Sequence, residues 1–326
     1  MYVLALLVAV VATGACKGDA EHHQFATATT TSSSSTTVAP TTTQPPTTLA
    51  APLSRSTKVV ITPTGVVAPV VGFNADGSVA IKTPCENVAN VRNATAVGPV
   101  DVLIDPGHGG AENGAEGHGI PEKTINLAVA KVLVDDLNAA GIHALLTRTG
   151  DYRVTLLARA AIAHALSPKA LVSVHHNGES DGPRDSPGTE VFFQHASADS
   201  RRLAGLIYEE VVKALSQYSN VAWQADTDAG VKPRLNSSGG DYYAMLRNPA
   251  PTTSVIVESL FLSNPPEAAL IARPDVQAAE AGAISRGVVR YLTTSDPGSG
   301  FVEPYTRTEP AGGGGGLSGC ADPPLQ

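Results

Sequence analysis

Val100-Asp-Val-Leu-Ile-Asp-Pro-Gly-His-Gly-Gly110 opens as a strand and ends in a turn. An apolar, β-branched run stopped by proline and glycine reads as a buried strand. The elements downstream of it decide the fold. Pro121 stands at the favoured first position of a helix, with Ile125, Val129, Val132, Leu133 and Leu137 on one face and Gly141 at its end. Ile142–Thr147 is the next strand, and a helix over about 153–165 leads into a strand at Leu171–Val174. Thr189–Gln194 and Ser254–Glu258 read as further strands, with helices over about 199–216 and 274–292. Strands alternating with helices predict an α/β fold over residues 98–295, with a mostly parallel central sheet flanked by helices on both faces.

Upstream, residues 58–97 form a small β-rich segment of two or three strands, punctuated at Gly65 and at Asn74–Gly77. Residues 17–57 read as a disordered linker, because Ala26–Ser54 carries no charge and is mostly Ser, Thr, Ala and Pro. Such a chain cannot bury enough apolar surface to offset its ordering entropy. Residues 1–16 are almost wholly apolar and too short for a membrane span of about 20 residues. They read as an export signal. Thr13-Gly-Ala-Cys16 is similar to a bacterial lipoprotein processing site, which predicts a lipid anchor on Cys16 and a place on the outer face of the cytoplasmic membrane. The other reading is plain secretion into the wall. No lysine or arginine precedes the apolar run, and Thr13 stands where a larger aliphatic residue is usual.

If lipid takes Cys16, Cys85 and Cys320 remain, and a pair of cysteines in an exported protein predicts a disulfide. It would tie the β-rich segment to the Gly/Pro-rich tail over 296–326, which otherwise reads as a loop. A hydrophobic content of 42% over 326 residues supports one sizeable core with residues to spare. With a net charge of −8 and few aromatics, no basic patch dominates, so nucleic acid is excluded as a partner.

Sites in α/β sheets gather at the carboxyl ends of strands. Here one strand end carries Asp105 and His108, another His175-His176-Asn177, and the last Glu258. Glu122 lies in the first turn of its helix, three residues before Ile125 and so on the core-facing side. Two histidines and a carboxylate on separate elements, with a second carboxylate at hand, form a zinc hydrolase constellation. Three protein ligands leave a position for water, whose pKa the metal lowers to about 7. The spare carboxylate moves the proton.

Each piece has a bland reading. The Gly-His-Gly-Gly turn can be structural, Glu122 can be a charge favoured at a helix N-terminus, and Glu258 can pair with an arginine. His118 is the rival ligand. Side chains in a strand alternate faces, so His175 and His176 cannot both aim at one metal.

The ordered motifs closely resemble the zinc-dependent N-acetylmuramoyl-L-alanine amidases of bacterial cell walls. They are Ile104-Asp-Pro-Gly-His-Gly-Gly110, Glu122-Lys-Thr-Ile-Asn-Leu127, Thr147-Arg-Thr-Gly-Asp151, Leu156-Leu-Ala-Arg159, Ser173-Val-His-His-Asn177, Gly230-Val-Lys232, Met245-Leu-Arg247 and Val257-Glu-Ser-Leu-Phe-Leu-Ser-Asn264. The resemblance spans about residues 101–292. It implies Zn2+ bound by His108, Glu122 and His175, with Glu258 as the catalytic carboxylate. It implies hydrolysis of the amide between N-acetylmuramic acid and the L-alanine of peptidoglycan stem peptides, in wall remodelling or daughter-cell separation. Peptidoglycan and muramyl peptides would be the partners.

Two departures stand out. His176 occupies a position where the family commonly has a small residue, and Ser259-Leu260 follows Glu258 where Leu-Gly is usual. Arg148, Asp151 and Arg159 read as a structural ion-pair arrangement, and Asp105 and Asn177 as ligand-orienting partners or turn formers. Glu112 and Glu116 read as solvated loop charges near the site. Two competing readings are a non-catalytic wall-binding module and a zinc amidohydrolase acting on another amide, because fold alone does not choose the amide. Retention of all four expected residues argues against the first.

Overall fold

The computed structural model describes residues 50–51, 53–178, 188–219, 221, 229–306, 308, 310–312 and 316–326. The expected export signal, Cys16 and most of the linker lie outside those residues. Among the described residues, no helix is long and apolar enough to cross a membrane.

The β-rich segment is larger than its sequence suggests. Strands β1 (Ala50–Ala51), β2 (Val59–Ile61), β3 (Val67–Phe73), β4 (Val79–Lys82), β5 (Val88–Val91) and β6 (Thr95–Val97) form one sheet in the order β1-β6-β2-β3-β4-β5. Every pairing in it is antiparallel. β5 and β6 escape a reading by pattern because they are short, and β5 is largely exposed. Alternation on β2 explains how the sheet is used. Val60 joins Ala68, Val79, Ile81 and Val91 in a core of the segment's own. Val59 and Ile61 point the other way, into a core shared with Leu103, Leu145, Leu171, Phe192 and Ile256 of the central sheet. The segment is therefore a covering layer of the α/β fold.

After it come β7 (Val102–Pro106), β8 (Glu116–Gly117), β9 (Ile120–Pro121), α1 (Glu122–Ala139), β10 (Ala144–Leu146), α2 (Leu156–Leu166) and β11 (Ala170–Asn177). Next are β12 (Glu190–Phe193), α3 (Ala198–Leu215), β13 (Gly230–Lys232), β14 (Arg234–Leu235) and α4 (Ala244–Arg247). The chain continues through β15 (Ser254–Phe261), α5 (Pro265–Ile271), α6 (Pro274–Thr293) and β16 (Tyr305–Thr306). The central sheet has the order β10-β7-β11-β15-β12-β13. All its pairings are parallel except β12 against β15. One face is buried under α1, α3 and α6, through residues such as Val129, Leu133, Ile207 and Ile284. The other is covered by α2, the short α4 and the antiparallel sheet.

Two further expectations need correction. Pro121 is not the first helical residue. It is extended at φ −66°, ψ 140°, and closes the β8–β9 ribbon, so that Glu122 begins α1. A proline at φ near −65° serves either conformation, and here the ribbon pairing decides. The tail is not merely a loop. β16 pairs with β14, and Phe301 bridges to Val231. Asp322 accepts hydrogen bonds from Thr83, the Cys85 N–H and Asn87. Cys85 and Cys320 are joined in a disulfide.

Candidate metal centre

β7, β11 and β15 are neighbours in the sheet, and their carboxyl ends open on one cavity of about 450 Å³. His108, Glu122, His175, Tyr243, Glu258 and Ser263 are among its lining residues. The four side chains singled out in the sequence thus meet in one place.

His108 sits just past β7 at φ 58°, a conformation uncommon for a residue with a side chain. Two buried arginines hold that turn. Arg159 donates to Asp105 Oδ1 at 2.5 Å, to the Pro106 carbonyl at 2.7 Å and to the His108 carbonyl at 2.7 Å. Arg148 donates to the carbonyls of Pro106, Gly107, Lys123 and Gly150. Asp105 is fully buried and also accepts from Thr147 and Ser173. Burial pushes its carboxyl up, but Arg159 and these donors outweigh that and hold it below the ordinary value. The expected grouping of Arg148, Asp151 and Arg159 does not form as one: Arg159 pairs with Asp105. Arg148 clamps carbonyls instead, and Asp151 pairs with Lys123 at 3.0 Å. Asp105 therefore supports the His108 turn and does not touch a candidate ligand side chain.

Glu122 lies at the start of α1 and is buried. Its Oε1 accepts from His175 Nδ1 at 3.0 Å, the His176 N–H at 3.1 Å and Asn126 Nδ2 at 3.0 Å. Its Oε2 accepts from the Ala115 N–H at 2.9 Å and lies 3.0 Å from His108 Nε2. Burial raises its carboxyl, yet the hydrogen bonds from His108 and His175 prevail and hold it well below the ordinary range. Burial lowers His175 despite the opposing pull of Glu122, which favours a neutral imidazole. One donor atom from each of His108, Glu122 and His175 falls within a set spanning at most 4.8 Å. The chemistry of that set, two imidazoles and an ionised carboxylate, fits zinc.

Close approach is secured by glycine. A Cβ on Gly107 would lie 2.1 Å from the His175 ring, and one on Gly114 would lie 2.2 Å from Glu122 Oε2.

Glu258 is the register partner of His175 on the adjacent strand. It is buried, and its Oε2 has no hydrogen-bond partner among the described residues. Burial, then repulsion from Glu122 and Glu190, drive its carboxyl well above the ordinary value against the pull of Arg234. Glu122 and Glu258 are thereby pushed in opposite directions, Glu122 toward its ionised form and Glu258 toward its protonated form.

The doublet resolves as strand alternation requires. His175 faces Glu122, while His176 points to the opposite face, bonded to Asn126 and Glu280. His118 sits exposed in the β8–β9 turn, outside the donor set. Asn177 donates to Glu190 and contacts no candidate ligand side chain. Glu112 accepts from Arg153, and Glu116 is exposed at the cavity wall. Sequence reasoning missed Asn126, Glu280 and Tyr243. The Tyr242-Tyr243 pair ahead of Met245-Leu-Arg247 was the available signal for the last. Tyr243 lines the cavity, with its hydroxyl accepting from Arg234.

Residues 102–290 match the family described as N-acetylmuramoyl-L-alanine amidase. The chain is 34% identical to YqiI, an uncharacterized protein of Bacillus subtilis strain 168, over 61% of this chain and 89% of that one. It is 31% identical to N-acetylmuramoyl-L-alanine amidase AmiA of Escherichia coli K12, over 59% of this chain and 75% of AmiA. Among solved structures, an N-acetylmuramoyl-L-alanine amidase from Clostridium difficile 630 superposes with a TM-score of 0.50 and 28% identity. That superposition covers 61% of this chain and 99% of the other.

Proposed function

The chain belongs to the N-acetylmuramoyl-L-alanine amidase family, and we propose that it is a zinc-dependent enzyme cutting the lactyl–L-alanine amide of peptidoglycan. Family membership supports a peptidoglycan amidase. The observation that carries the finer reading is the donor set of His108, Glu122 and His175 sharing its cavity with Glu258, a carboxyl of raised proton affinity. Those three residues would hold the metal. When bound, zinc supplies Lewis-acid polarisation of the scissile carbonyl and acidifies water.

The chain's own groups do the rest. Glu258 takes the proton of the attacking water and later delivers it to the departing L-alanine amine. Glu258 lines the cavity, and its carboxyl keeps the proton between the two transfers. The carboxyl's raised affinity for a proton suits that interval. Asp105, Arg148 and Arg159 keep His108 at the cavity edge through the backbone they hold.

The enzyme acts outside the membrane, in wall remodelling or daughter-cell separation. The Cys85–Cys320 disulfide supports export, because such bonds persist in oxidising compartments. A lipid on Cys16 would keep the catalytic domain near the bilayer.

The test is to incubate the zinc-loaded chain with purified peptidoglycan and muramyl peptides and to identify products by mass spectrometry. Free stem peptide with an intact lactyl-sugar is the expected result. Cleavage within the peptide, loss of acetyl, or binding without cleavage would each defeat the proposal. Glu258→Gln is expected to lower turnover by about 10²-fold or more while keeping zinc, since it removes the base and no ligand.

A further inference from the structure

Glu280 is a carboxylate buried to 0% exposure on the core-facing side of α6, where Val276, Ala283 and Ile284 surround it in sequence. A charged residue rarely sits there without a partner. Its partners are the two departures from the family pattern. His176 Nε2 lies 3.0 Å from Oε2, and the Ser259 hydroxyl donates to Oε1 at 2.7 Å. His176, Ser259 and Glu280 therefore belong to one buried set.

The set leads to the candidate metal centre. The Asn126 amide nitrogen faces two acceptors, Glu122 Oε1 at 3.0 Å and the Gly107 carbonyl at 3.3 Å. That leaves Asn126 Oδ1 facing His176 Nδ1 at 2.7 Å, so the ring donates there. A reversed amide would set oxygen against the Glu122 carboxylate. The ring's other nitrogen faces Glu280, which fixes the ring's rotation.

We propose that His176 and Glu280 form a positioning pair that, through Asn126, holds the Glu122 carboxylate in its metal-binding orientation. Glu280 and Ser259 fix the His176 ring. His176 then selects the Asn126 amide orientation, and Asn126 bonds Glu122. His176 adds its own backbone N–H to the same Glu122 oxygen. The proposal rests on the reading of His108, Glu122 and His175 as zinc ligands.

The test measures the zinc dissociation constant of the full chain by competition with a fluorescent chelator, together with Tm. Partners of this kind typically change metal affinity by about 10- to 100-fold. The double variant His176→Ala/Glu280→Leu is expected to weaken zinc binding by about tenfold or more. Glu280→Gln can donate its amide N–H to His176 Nε2 and accept from the Ser259 hydroxyl with its carbonyl, and should stay within about twofold of wild type by that hydrogen-bond inventory. A lowered Tm with unchanged zinc affinity in the double variant would reduce the pair to a structural role and overturn the proposal. A loss in Glu280→Gln equal to that of the double variant would overturn it too. If the double variant does not fold, Asn126→Val carries the test, since it breaks the link and leaves the pair. The proposal expects the same loss there, and unchanged affinity sinks it. Failure of the underlying reading is distinct, because wild type itself would then bind no stoichiometric zinc.

Discussion

At the scale of single residues, the cavity sets two carboxylates against each other. Glu122 is held ionised by histidine donors, and Glu258 is held toward its protonated form by burial and by repulsion from Glu122 and Glu190. This has a thermodynamic consequence. A carboxyl whose folded pKa is raised contributes stability that is complete below the unfolded value. That contribution is lost as pH rises through the folded value. Above it, ionised Glu258 destabilises the metal-free protein, and a neutral isostere removes the cost. Glu258→Gln is therefore expected to raise the Tm of the zinc-free protein at pH 7, by about 2–4 °C for each kcal/mol recovered. The advantage should vanish as pH falls to about 4. Thermal melts across that range check it, and an advantage independent of pH would contradict the assignment. Asp105 carries the opposite sign. Its lowered pKa gives stability present above the unfolded value and lost as pH falls through the folded one.

At the scale of elements, the centre is built from strand ends and the turns that leave them. β7 delivers His108, β11 delivers His175 and β15 delivers Glu258, while α1 brings Glu122 up to them. The β7 turn needs glycine for space. Gly107 is not in the left-handed region, so alanine there brings a steric clash with the His175 ring and little backbone strain. Gly107→Ala should displace that ring and lower kcat/KM by about 10²-fold, the usual result of misplacement near 1 Å. Steady-state kinetics beside a circular-dichroism spectrum would test this, and full activity would mean that the turn relaxes freely. These elements were legible because their patterns are local. Ile125, Val129, Leu133 and Leu137 recur at helical spacing, and Leu171–Val174 is a continuous apolar run. β5, β6 and β16 were not, because edge and bridging strands owe their state to partners far along the chain.

At the scale of the whole molecule, the chain is closed by its own tail. Cys320 is bonded to Cys85 across 235 residues, and Asp322 gathers three donors from the β4–β5 turn. The disulfide restricts the unfolded chain over a long loop and is worth about 2–4 kcal/mol. Cys85→Ser/Cys320→Ser is expected to lower Tm by about 5–15 °C at 2–4 °C per kcal/mol. Neither cysteine lines the cavity, so kcat/KM at 25 °C should stay within about twofold of wild type, as is usual for a change remote from the site. Calorimetry and a product assay on the same sample would separate the two effects. An unchanged Tm would show that the tail is held by its hydrogen bonds alone.

The sequence by itself determined the α/β class, the order of the main strands and helices, and the residues carried to their ends. Periodicity and turn chemistry act over a few neighbouring residues, so they survive without a fold. It also limited the histidine doublet to one ring that can aim at a metal, by alternation alone. Tertiary structure decided the rest. It turned β12 antiparallel, made the leading segment a layer of the main core, and tied down the tail. It also buried Glu280, which on a helix reads as a solvated charge until His176 and Ser259 arrive from two strands to meet it. Long-range pairing carries no local pattern, because its cause is the proximity that folding creates.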